Sequence, residues 1–551
     1  MGKKDYVRAA DALVSCLKIA EVEHVFCVPG ESYLAVLDAL YEESAIELIT
    51  TRHESGAAFM AEAYAKSTLK TGVVFATRGV GATNLSIGVH TAMQDSTPLV
   101  VFLGQVHRSC KDREGFQEID LVQFFQPITK WAVEITDANR TYELVMRAFR
   151  IAQTGRPGPV VVSLPEDMLV DLCKKKHPLP IEKLAPSISD ADVAIVASML
   201  QRANRPLLIC GGGIKRARAE KELLALSEKF ALPMFVSFRR HDIFPHDHPH
   251  YLGHLGLDAT ESMQKAVAEA DTIIAIGTRF SEITSQNYTL IKEHHKLIHI
   301  DIEPTTIGKV YEPQLGIVAD AKEALRSLAE MDVSVSWRGW ATAYRQHYES
   351  ENVLTSPNEE NIYEQIIHSL QGQLTDDYMI TNDAGNFASW LHKYFPFTKP
   401  HTYVGPTSGA MGYGLPAAIG AKLAYPHKMV VNLAGDGGFM MTVQELETAV
   451  RYRLPLICIV FNNDMYGTIR MHQEMHYPER VVGTDLGGVS FAKLAESCGA
   501  KGYTVTTIEQ FNEAFKRCIE STDVAVIDVK VEKRYISTSG TIEQIKGKKK
   551  N

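Results

Sequence analysis

Two polar sequences near the C-terminal end of the chain each follow a strand-like run, and their residue types suit the binding of ions. Gly435-Asp436-Gly437-Gly438 follows the aliphatic run 429–433 and precedes a helical pattern over 442–450; Asn462-Asn463 follows the run 456–461. Glycines let backbone N–H groups approach an anion closely. Carboxylate and amide oxygens at neighbouring strand ends suit Mg²⁺. The alternative is a tight turn and a helix cap, but the pairing of the two sequences favours the ion site.

This arrangement resembles the thiamine-diphosphate motif of the pyruvate-oxidase and acetolactate-synthase superfamily. The resemblance implies three Mg²⁺ ligands, namely Asp436, the Asn463 side chain and the Met465 carbonyl. The upstream segment 409–418 resembles the cofactor cradle of the superfamily. Met411 would there force thiamine into its bent V shape, although methionine is also a common filler of irregular cores. The resemblance extends over essentially the whole chain.

A second polar segment, 51–62, follows the strand-like run 46–49 and opens an Ala-rich helical pattern that contains Glu54. A glutamate in the first turn of a helix is favoured by the helix dipole, so a surface or capping role is the alternative. The resemblance implies that Glu54 hydrogen-bonds the aminopyrimidine ring of the cofactor. The exocyclic nitrogen of that ring can then deprotonate the thiazolium carbon C2, with the protein supplying positioning and electrostatics.

Four further segments in the N-terminal third resemble parts of the same active site. Residues 27–32 resemble the Gly-rich turn near the reacting centre, and residues 79–84 resemble a Gly-Pro-Gly-Ala-Thr-Asn loop, with Val80 where proline is usual. Residues 104–106 and 116–118 resemble segments that line the site.

The resemblance therefore implies a complete set of site residues. The catalytic residues are Glu54, Gln105 and Met411. The cofactor contacts are Pro29, Gly30, Glu54, Gly385, Asn386, Gly409, Met411, Gly435, Asp436, Gly437, Gly438, Asn463, Met465, Tyr466 and Gly467. The substrate contacts are Ser32, Phe116, Gln117, Ile469 and His472. In the superfamily, Glu54 and the magnesium motif that face one cofactor come from different subunits, which implies a homodimer or homotetramer.

Composition excludes several other classes of protein. The 551 residues carry a formal charge of -9, so a basic face for nucleic acid is not expected. The eight cysteines are scattered without a C-x-x-C pair, which argues against a zinc site and suits a reducing compartment. The N-terminus lacks the apolar core of a signal peptide, and no apolar run is long enough to cross a bilayer. A cytoplasmic location is expected.

The fold class predicted by hydrophobic patterning is α/β. Short aliphatic runs alternate with longer helical patterns, which is typical of parallel sheets covered on both faces. The predicted strand runs are 72–76, 99–103, 160–164, 207–210, 272–276, 297–302, 429–433 and 456–461. Polar segments over 171–190 and 334–361 are predicted to be linkers. We therefore expect three doubly wound domains, 1–172, 190–335 and 360–551. The resemblance implies that the first binds the pyrimidine of thiamine, that the second is central and Rossmann-like, and that the third binds the diphosphate.

The resemblance also points to a reaction. Simple decarboxylases of the superfamily carry a His-His pair in the first domain as proton donors, whereas the pair here, His294-His295, lies in the middle block and His107 stands alone after Gln105. Carboligation is therefore favoured, and the implied product is 2-acetolactate from two pyruvates. The alternatives are a lyase or decarboxylase acting on another 2-oxo acid, an acyl-CoA or a hydroxyketone, and a catalytically silent cofactor-binding paralogue.

Three positions depart from the acetolactate-synthase pattern and bear on the acceptor substrate. Ile283 ends the run 279–283, where the family has Arg-Phe-Asp-Asp-Arg with a last arginine that pairs with the acceptor carboxylate. His472 replaces a tryptophan, and Arg78 replaces a serine. The groups that could bind an acceptor carboxylate instead are Arg78, His107, Arg113 and His472. An aldehyde acceptor is the alternative.

The middle block has a Gly-rich segment, 210–213, after a strand-like run, but no G-x-G-x-x-G sequence. A dinucleotide site is therefore only weakly indicated. Relatives bind FAD, ADP or no nucleotide in this domain, and the sequence leaves FAD open.

Overall fold

Three parallel sheets form the frame of the molecule. The computed structural model describes residues 5–374 and 377–547, so the predicted outer domain limits, Met1 and Asn551, lie outside the described residues. Each of the three large sheets has six strands, and every strand pairing within them is parallel. The structure confirms the predicted α/β class.

The first domain holds the first sheet. Its strands are β1 (Tyr6–Arg8), β2 (His24–Cys27), β3 (Glu47–Thr50), β4 (Gly72–Ala76), β5 (Leu99–Gln105), β6 (Trp131–Glu134), β7 (Pro159–Pro165) and β8 (Leu172–Lys174). Its helices are α1 (Ala9–Ile19), α2 (Leu34–Tyr41), α3 (Glu54–Thr68), α4 (Gly79–Asp95), α5 (Leu121–Phe125) and α6 (Thr141–Gln153). The sheet order is β3-β2-β4-β5-β7-β6, with β1 and β8 forming a separate antiparallel pair.

The central domain holds the second sheet. Its strands are β9 (Pro206–Cys210), β10 (Met234–Ser237), β11 (Tyr251–Leu255), β12 (Thr272–Ile276), β13 (Lys296–Asp301) and β14 (Leu315–Val318). Its helices are α7 (Asp190–Gln201), α8 (Gly212–Ala217), α9 (Glu220–Phe230), α10 (Glu261–Glu269), α11 (Ala321–Ala329) and α12 (Thr342–Asn352). The order β11-β10-β9-β12-β13-β14 is that of dinucleotide-binding sheets.

The third domain holds the third sheet. Its strands are β15 (Tyr378–Asn382), β16 (Tyr403–Val404), β17 (Met429–Gly435), β18 (Ile457–Asn462), β19 (Lys501–Val505), β20 (Ala525–Lys530), β21 (Tyr535–Ser537) and β22 (Gly540–Thr541). Its helices are α13 (Ile362–Gln373), α14 (Phe387–Tyr394), α15 (Gly414–Ala424), α16 (Asp436–Met440), α17 (Glu445–Arg451), α18 (Gly467–His476), α19 (Phe491–Ser497), α20 (Ile508–Glu520) and α21 (Ile542–Ile545). The sheet order β16-β15-β17-β18-β20-β19 repeats that of the first sheet.

The central strands of these sheets are buried on both faces. In β5, Leu99, Val101 and Leu103 enter a core that also contains residues of the third domain, whereas Val100 and Phe102 enter a core within the first domain. This double burial explains why continuous aliphatic runs predicted central strands such as β4, β5 and β17, whereas the central strands β2, β10, β15 and β20 were not predicted. No helix in the described part of the chain is long and apolar enough to cross a membrane.

One predicted linker has to be corrected. Within 334–361 the structure places helix α12, and Tyr348 of this helix packs into the core of the central domain together with Trp337. Only Tyr348 and Asn352 of α12 are buried, so the apolar stripe of the helix is too narrow to show in the sequence pattern.

Candidate active site

The Gly-Asp-Gly and Asn-Asn sequences meet at one edge of the third sheet. Strands β17 and β18 are parallel neighbours with Gly435 opposite Phe461, so Asp436 and Asn463 both follow the carboxyl ends of adjacent strands. In an open α/β sheet this edge is where ligands bind. The predicted helix over 442–450 corresponds to α17, which begins only at Glu445, and a separate short helix, α16, begins at Asp436.

The Asp436 carboxylate has one satisfied and one unsatisfied oxygen. The residue is 6% exposed. Oδ1 accepts a hydrogen bond from the Gly437 N–H at 2.8 Å, whereas Oδ2 is buried and has no partner among the described residues. Burial raises the pKa of Asp436 above its usual range. A buried carboxylate oxygen without a donor needs a partner, and a cation would supply one. The donor set therefore fits Mg²⁺.

The other predicted ligands, Asn463 and Met465, follow the end of β18 and lie close to Asp436. The Asn463 Oδ1 accepts a weak hydrogen bond from the Met465 N–H at 3.3 Å, and Met465 is buried. A Cβ placed on Gly437 would lie 2.6 Å from the Tyr466 ring, and one on Gly467 would lie 3.5 Å from the Asn463 amide. The structure therefore brings these predicted residues together around Asp436. No cluster of three or more His, Cys, Asp or Glu side chains that could hold a metal occurs in the described residues.

The sequence analysis missed Asp383, which organises the cradle. Asp383 follows β15 and is buried, with Oδ1 accepting from the Ala384 N–H at 2.7 Å and Oδ2 from the Gly412 N–H at 3.0 Å. Burial raises its pKa to about 6. A Cβ on Gly438 would lie 2.7 Å from Asp383 Oδ2. The signal that could have identified it is an acidic residue at a strand end of the same sheet.

Met411 lies in the turn between β16 and α15, and its side chain is half-buried. The turn is anchored by the Thr442 hydroxyl donating to the Gly412 carbonyl at 2.8 Å and by Arg239 donating to the Pro406 carbonyl at 2.7 Å. Gly409 has φ +68° with open space around its Cβ position, so its left-handed backbone, rather than crowding, favours glycine there.

Helix α18 presents the predicted substrate residues of the third domain. Ile469 is 54% exposed, and the exposed His472 stacks on His476 at a ring separation of 6.2 Å. Gly385 is exposed, whereas the Asn386 amide is used within the domain. Its Nδ2 donates to the Ile536 carbonyl at 2.9 Å, and its Oδ1 accepts from the Thr468 hydroxyl at 3.0 Å. Asn386 therefore fixes the start of α18, and its contact with the cofactor stays a prediction.

Glu54 is the first residue of α3 and is largely buried. Its Oε2 accepts from the Asn84 amide at 3.0 Å, and a Cβ on Gly81 would lie 3.1 Å from its Oε1. The helix is capped by His53, whose Nδ1 accepts from the Ser55 N–H at 3.1 Å. His53, and not Glu54, therefore caps the helix, so the Glu54 side chain does not have the capping role that was the alternative to a cofactor contact.

The Gly-rich turn after β2 lies beside the segments that follow β4 and β5. Pro29 is exposed, and a Cβ on Gly30 would lie 2.7 Å from the Thr77 Cβ. The Ser32 hydroxyl lies 2.9 Å from the Thr77 hydroxyl. Gln105 is buried, and its amide donates to the Ile119 carbonyl at 2.9 Å and accepts from the Val106 N–H at 2.9 Å. Its polar atoms hold the following loop, so its cofactor contact stays a prediction.

The loop over 107–120 carries Phe116, which is 72% exposed, and Gln117, whose carbonyl accepts from the Gly79 N–H at 2.9 Å. Three of its non-glycine residues have positive φ: Asp112, Glu114 and Gln117. The Glu118 carboxylate holds this backbone by accepting from the Asp112 and Gly115 N–H groups, both at 2.8 Å. Strained backbone of this kind clusters at functional sites.

The side chains that could bind an acceptor carboxylate differ in whether they already have partners within the protein. Arg78 is buried and paired with both Glu31 and Glu166. His107 is exposed and bonded to the Ser109 hydroxyl at 2.8 Å. Arg113 is exposed and makes a 3.4 Å contact to the Ser109 carbonyl. The charge of Arg78 is thus already compensated, whereas Arg113 is not ion-paired within the described residues.

The two half-sites belong to domains that pack through α3 and α15. Small residues permit this contact: Ala57 and Ala61 of α3 share a core with Ala417 and Ala418 of α15. A Cβ on Gly420 would lie 2.4 Å from a backbone carbonyl of α3. The hydrogen bonds of Glu54 stay within the first domain of the described chain.

Comparison with known proteins matches each domain to one family. Residues 7–124 match the thiamine pyrophosphate enzyme N-terminal TPP binding domain, residues 193–328 the central domain, and residues 383–529 the C-terminal TPP binding domain. Thiamine pyrophosphate is thiamine diphosphate under another name.

Relatives are similar to almost the whole chain. A probable acetolactate synthase large subunit of Methanocaldococcus jannaschii is 33% identical over 548 residues, covering 96% of this chain and 92% of that protein. The chain belongs to the acetolactate synthase large-subunit family. The large subunit of Porphyra purpurea is 33% identical, covering 94% and 91% of the two chains, and that of Haemophilus influenzae is 31% identical, covering 95% and 94%.

The structure of the present chain also contains a cavity of about 390 Å³ between the first and central domains. It opens at the carboxyl ends of β9 and β12, where the strand order of the second sheet reverses. Four arginines line it: Arg156, Arg216, Arg240 and Arg279. Burial lowers the pKa of Arg216 to about 10, and its Nε and Nη1 are buried without hydrogen-bond partners among the described residues. Ile283, where the family pattern has the acceptor arginine, lines this cavity as well.

Proposed function

We propose that this chain decarboxylates a 2-oxo acid, pyruvate, and joins the remaining two-carbon unit to a second carbonyl compound in the manner of an acetolactate synthase. The proposal is supported by similarity over nearly the full length to proteins of that name. The observation that carries it is the Asp436 Oδ2, which is buried and has no hydrogen-bond partner among the described residues. Asp436 lies at the sheet edge where β17 and β18 end and where Asn463 follows β18.

The residues present fit thiamine diphosphate and Mg²⁺ in named roles. Asp436, the Asn463 amide and the Met465 carbonyl would hold the metal, and the glycine turn at Gly437 and Gly438 would leave room for the diphosphate. Thiamine diphosphate supplies a nucleophilic carbon that adds to the 2-oxo acid and accepts the electron pair left when CO₂ departs.

The remaining roles belong to the protein itself. Glu54 would hold a proton at the aminopyrimidine ring nitrogen, and its near-complete burial favours such a hydrogen bond over solvent. Met411 would support the bent form of the cofactor. Phe116, Gln117, Ile469 and His472 would face the substrates, because the first two stand on the loop beside α4 and the last two on α18.

The acceptor is tested by product analysis. With pyruvate alone we expect 2-acetolactate, and with pyruvate plus acetaldehyde we expect acetolactate to stay the main product in an NMR assay. The second candidate is a carboligase for aldehydes, which is favoured by Ile283 and by the two carboxylates that already compensate Arg78. Exclusive formation of the aldehyde adduct would favour this candidate over acetolactate synthesis.

We also infer that active sites are shared between the subunits of a homodimer or homotetramer. Exposed apolar side chains surround both half-sites: Leu34, Val80, Ile87, Phe116, Phe124, Met440, Met441 and Ile469. Apolar surface of this kind on a folded protein commonly marks an interface. Analytical ultracentrifugation tests the inference, and a monomer at micromolar concentration would contradict it.

Finally, we propose that the cavity at the central domain binds a diphosphate nucleotide, FAD. The support is the strand order of the second sheet and the buried Arg216 nitrogens without partners. Arginine is suited to phosphate oxygens. Denaturing the purified protein and identifying the released nucleotide by mass spectrometry tests this. Release of ADP alone would mean that the cavity binds ADP instead of FAD, and release of no nucleotide would contradict the proposal.

A further inference from the structure

Glu445, the first residue of α17, is a buried carboxylate that crosses the boundary between the third and first domains. Its exposure is 0%. Oε1 accepts from the Arg52 N–H at 3.2 Å and the His53 N–H at 3.0 Å, while Oε2 accepts from the Thr448 hydroxyl at 2.7 Å. A Cβ on Gly56 would lie 2.6 Å from Glu445 Oε1, so only glycine leaves room for the carboxylate there.

The two N–H groups held by Glu445 immediately precede Glu54. His53 is the N-cap of α3, and Glu54 is its first residue. Buried backbone N–H groups need acceptors, and the His53 side chain is occupied with the Ser55 N–H. A carboxylate of the third domain therefore fixes the backbone at the point where α3 begins.

We propose that Glu445 is a positioning residue for Glu54: by accepting the N–H groups of Arg52 and His53, it sets the place of the Glu54 carboxylate relative to the third domain. The inference rests on the role proposed above for Glu54. Glu445 follows Asp436 by nine positions in the same domain. The position of Glu54 is thereby tied to the domain that carries the magnesium motif of the same chain.

The hydrogen bonds, rather than the charge, are what this role requires. Burial raises the pKa of Glu445 to about 7. A protonated carboxyl group still accepts hydrogen bonds through its carbonyl oxygen, so glutamine is a suitable mimic. Aspartate keeps the charge but is one methylene shorter, so it cannot reach both N–H groups. A displacement of about 1 Å at a catalytic group can cost on the order of 100-fold in rate.

The test compares Glu445→Gln with Glu445→Asp in the enzyme loaded with thiamine diphosphate and Mg²⁺. We expect Glu445→Gln to keep a kcat close to that of the wild type. We expect Glu445→Asp to lose on the order of 10- to 100-fold in kcat with little change in the KM for pyruvate. The circular dichroism of the bound aminopyrimidine should change in Glu445→Asp and not in Glu445→Gln. The matched control is Glu513→Ala, a glutamate of α20 in the same domain whose exposed carboxylate pairs with Arg517.

Two outcomes would overturn the inference. One is a Glu445→Asp variant with wild-type kcat and cofactor spectrum; the other is a folded Glu445→Gln variant that is as impaired as Glu54→Gln. Thermal unfolding shows whether each variant folds. The outcome for Glu445→Gln still tests the inference if Glu445→Asp does not fold. Glu54→Gln in the same assay separates the two proposals, because an active Glu54→Gln refutes the role of Glu54. An inactive Glu54→Gln beside a normal Glu445→Asp refutes only the role of Glu445.

Discussion

At the scale of single residues, the buried carboxylates of the site differ in what satisfies them. Both oxygens of Asp383 accept backbone N–H groups. The Asp436 Oδ1 accepts from the Gly437 N–H, whereas its Oδ2 is buried without a hydrogen-bond partner in the described part of the chain. Since an unsatisfied buried carboxylate oxygen is costly, the difference assigns Asp383 to the scaffold and leaves Asp436 for a cation.

Asp436→Asn should therefore weaken cofactor binding that depends on magnesium. Asparagine can keep the acceptor for the Gly437 N–H but removes the negative charge. We expect the affinity for thiamine diphosphate with Mg²⁺ to fall at least about tenfold, since even indirect partners of metal ligands cost that much. Calorimetric titration measures the change. The control is Asp523→Asn, a half-exposed carboxylate of the same domain, and an unchanged affinity of Asp436→Asn would contradict the assignment.

At the scale of elements, the contact between α3 and α15 holds the half-sites in register. Gly420 is at the point of closest approach, where a Cβ would lie 2.4 Å from the Met60 carbonyl. A backbone carbonyl cannot move aside as the end of a side chain can. The small residues of both helices are therefore a requirement of the packing.

Gly420→Ala should destabilise the protein, although alanine is the better helix former. We expect a loss of about 1–3 kcal/mol from overpacking, seen as a lower midpoint of thermal unfolding. Gly372→Ala is the matched control, because Gly372 also lies in a helix but has nothing within 4 Å of its Cβ position. That change should be neutral or stabilising by up to about 1 kcal/mol. Equal effects of the two substitutions would contradict the close approach.

How far the sequence predicts the elements depends on their burial. The predicted run 72–76 coincides with β4, which is wholly buried. The edge strands β6 and β14 are half-buried or partly exposed, so they lack a continuous aliphatic run. In the candidate site, the Gly-Asp-Gly and Asn-Asn motifs could be recognised from the sequence because each consists of consecutive residues. Asp383 carries only the weaker signal of an acidic residue at a strand end, and Glu445 carries none, because its partners are backbone groups far along the chain.

At the scale of the whole molecule, a cluster of histidines joins the central and third domains. The His241 ring lies 4.5 Å from the rings of both His254 and His392 and 6.2 Å from that of His246. Both ring nitrogens of His241 are buried and have no hydrogen-bond partner within residues 5–374 and 377–547. Burial lowers the pKa of His241 and His392 well below the usual value, and that of His246 to about 3. The neighbouring Asp258 is paired with His254.

These histidines should consequently destabilise the folded state in mild acid, opposed by buried carboxyl groups such as Glu445 whose pKa is raised by burial. Because these histidines have lower pKa values when folded, the unfolded chain binds protons as the pH falls below about 6.5, and the folded chain does not. Each such histidine reduces the free energy of unfolding by about 1.4 kcal/mol per pH unit in that range. Urea unfolding between about pH 7 and about pH 5 measures the slope. His241→Phe should lower the slope of unfolding free energy against pH by the contribution of one histidine, about 1.4 kcal/mol per pH unit. An unchanged slope would contradict the buried, neutral state of His241.

Shared active sites predict complementation between inactive variants. Glu54→Gln and Asp436→Asn each disable one half-site. In a mixed dimer, one site carries both changes and the other carries neither. Co-expression of the two variants should therefore restore activity that neither shows alone, measured as acetolactate formation by the separated mixed dimer. Mixed dimers that stay inactive would mean that both halves of each site come from one chain.

The most direct test of the site is hydrogen–deuterium exchange at the thiazolium carbon of bound thiamine diphosphate, followed by NMR after rapid quenching. This measurement needs no knowledge of the substrates. We expect fast exchange in the wild type and a rate lower by on the order of 100- to 10,000-fold in Glu54→Gln, because a positioned proton-transfer group contributes that much. Equal exchange rates in the two proteins, with the cofactor bound in both, would contradict the assignment of Glu54 and with it the proposed active site.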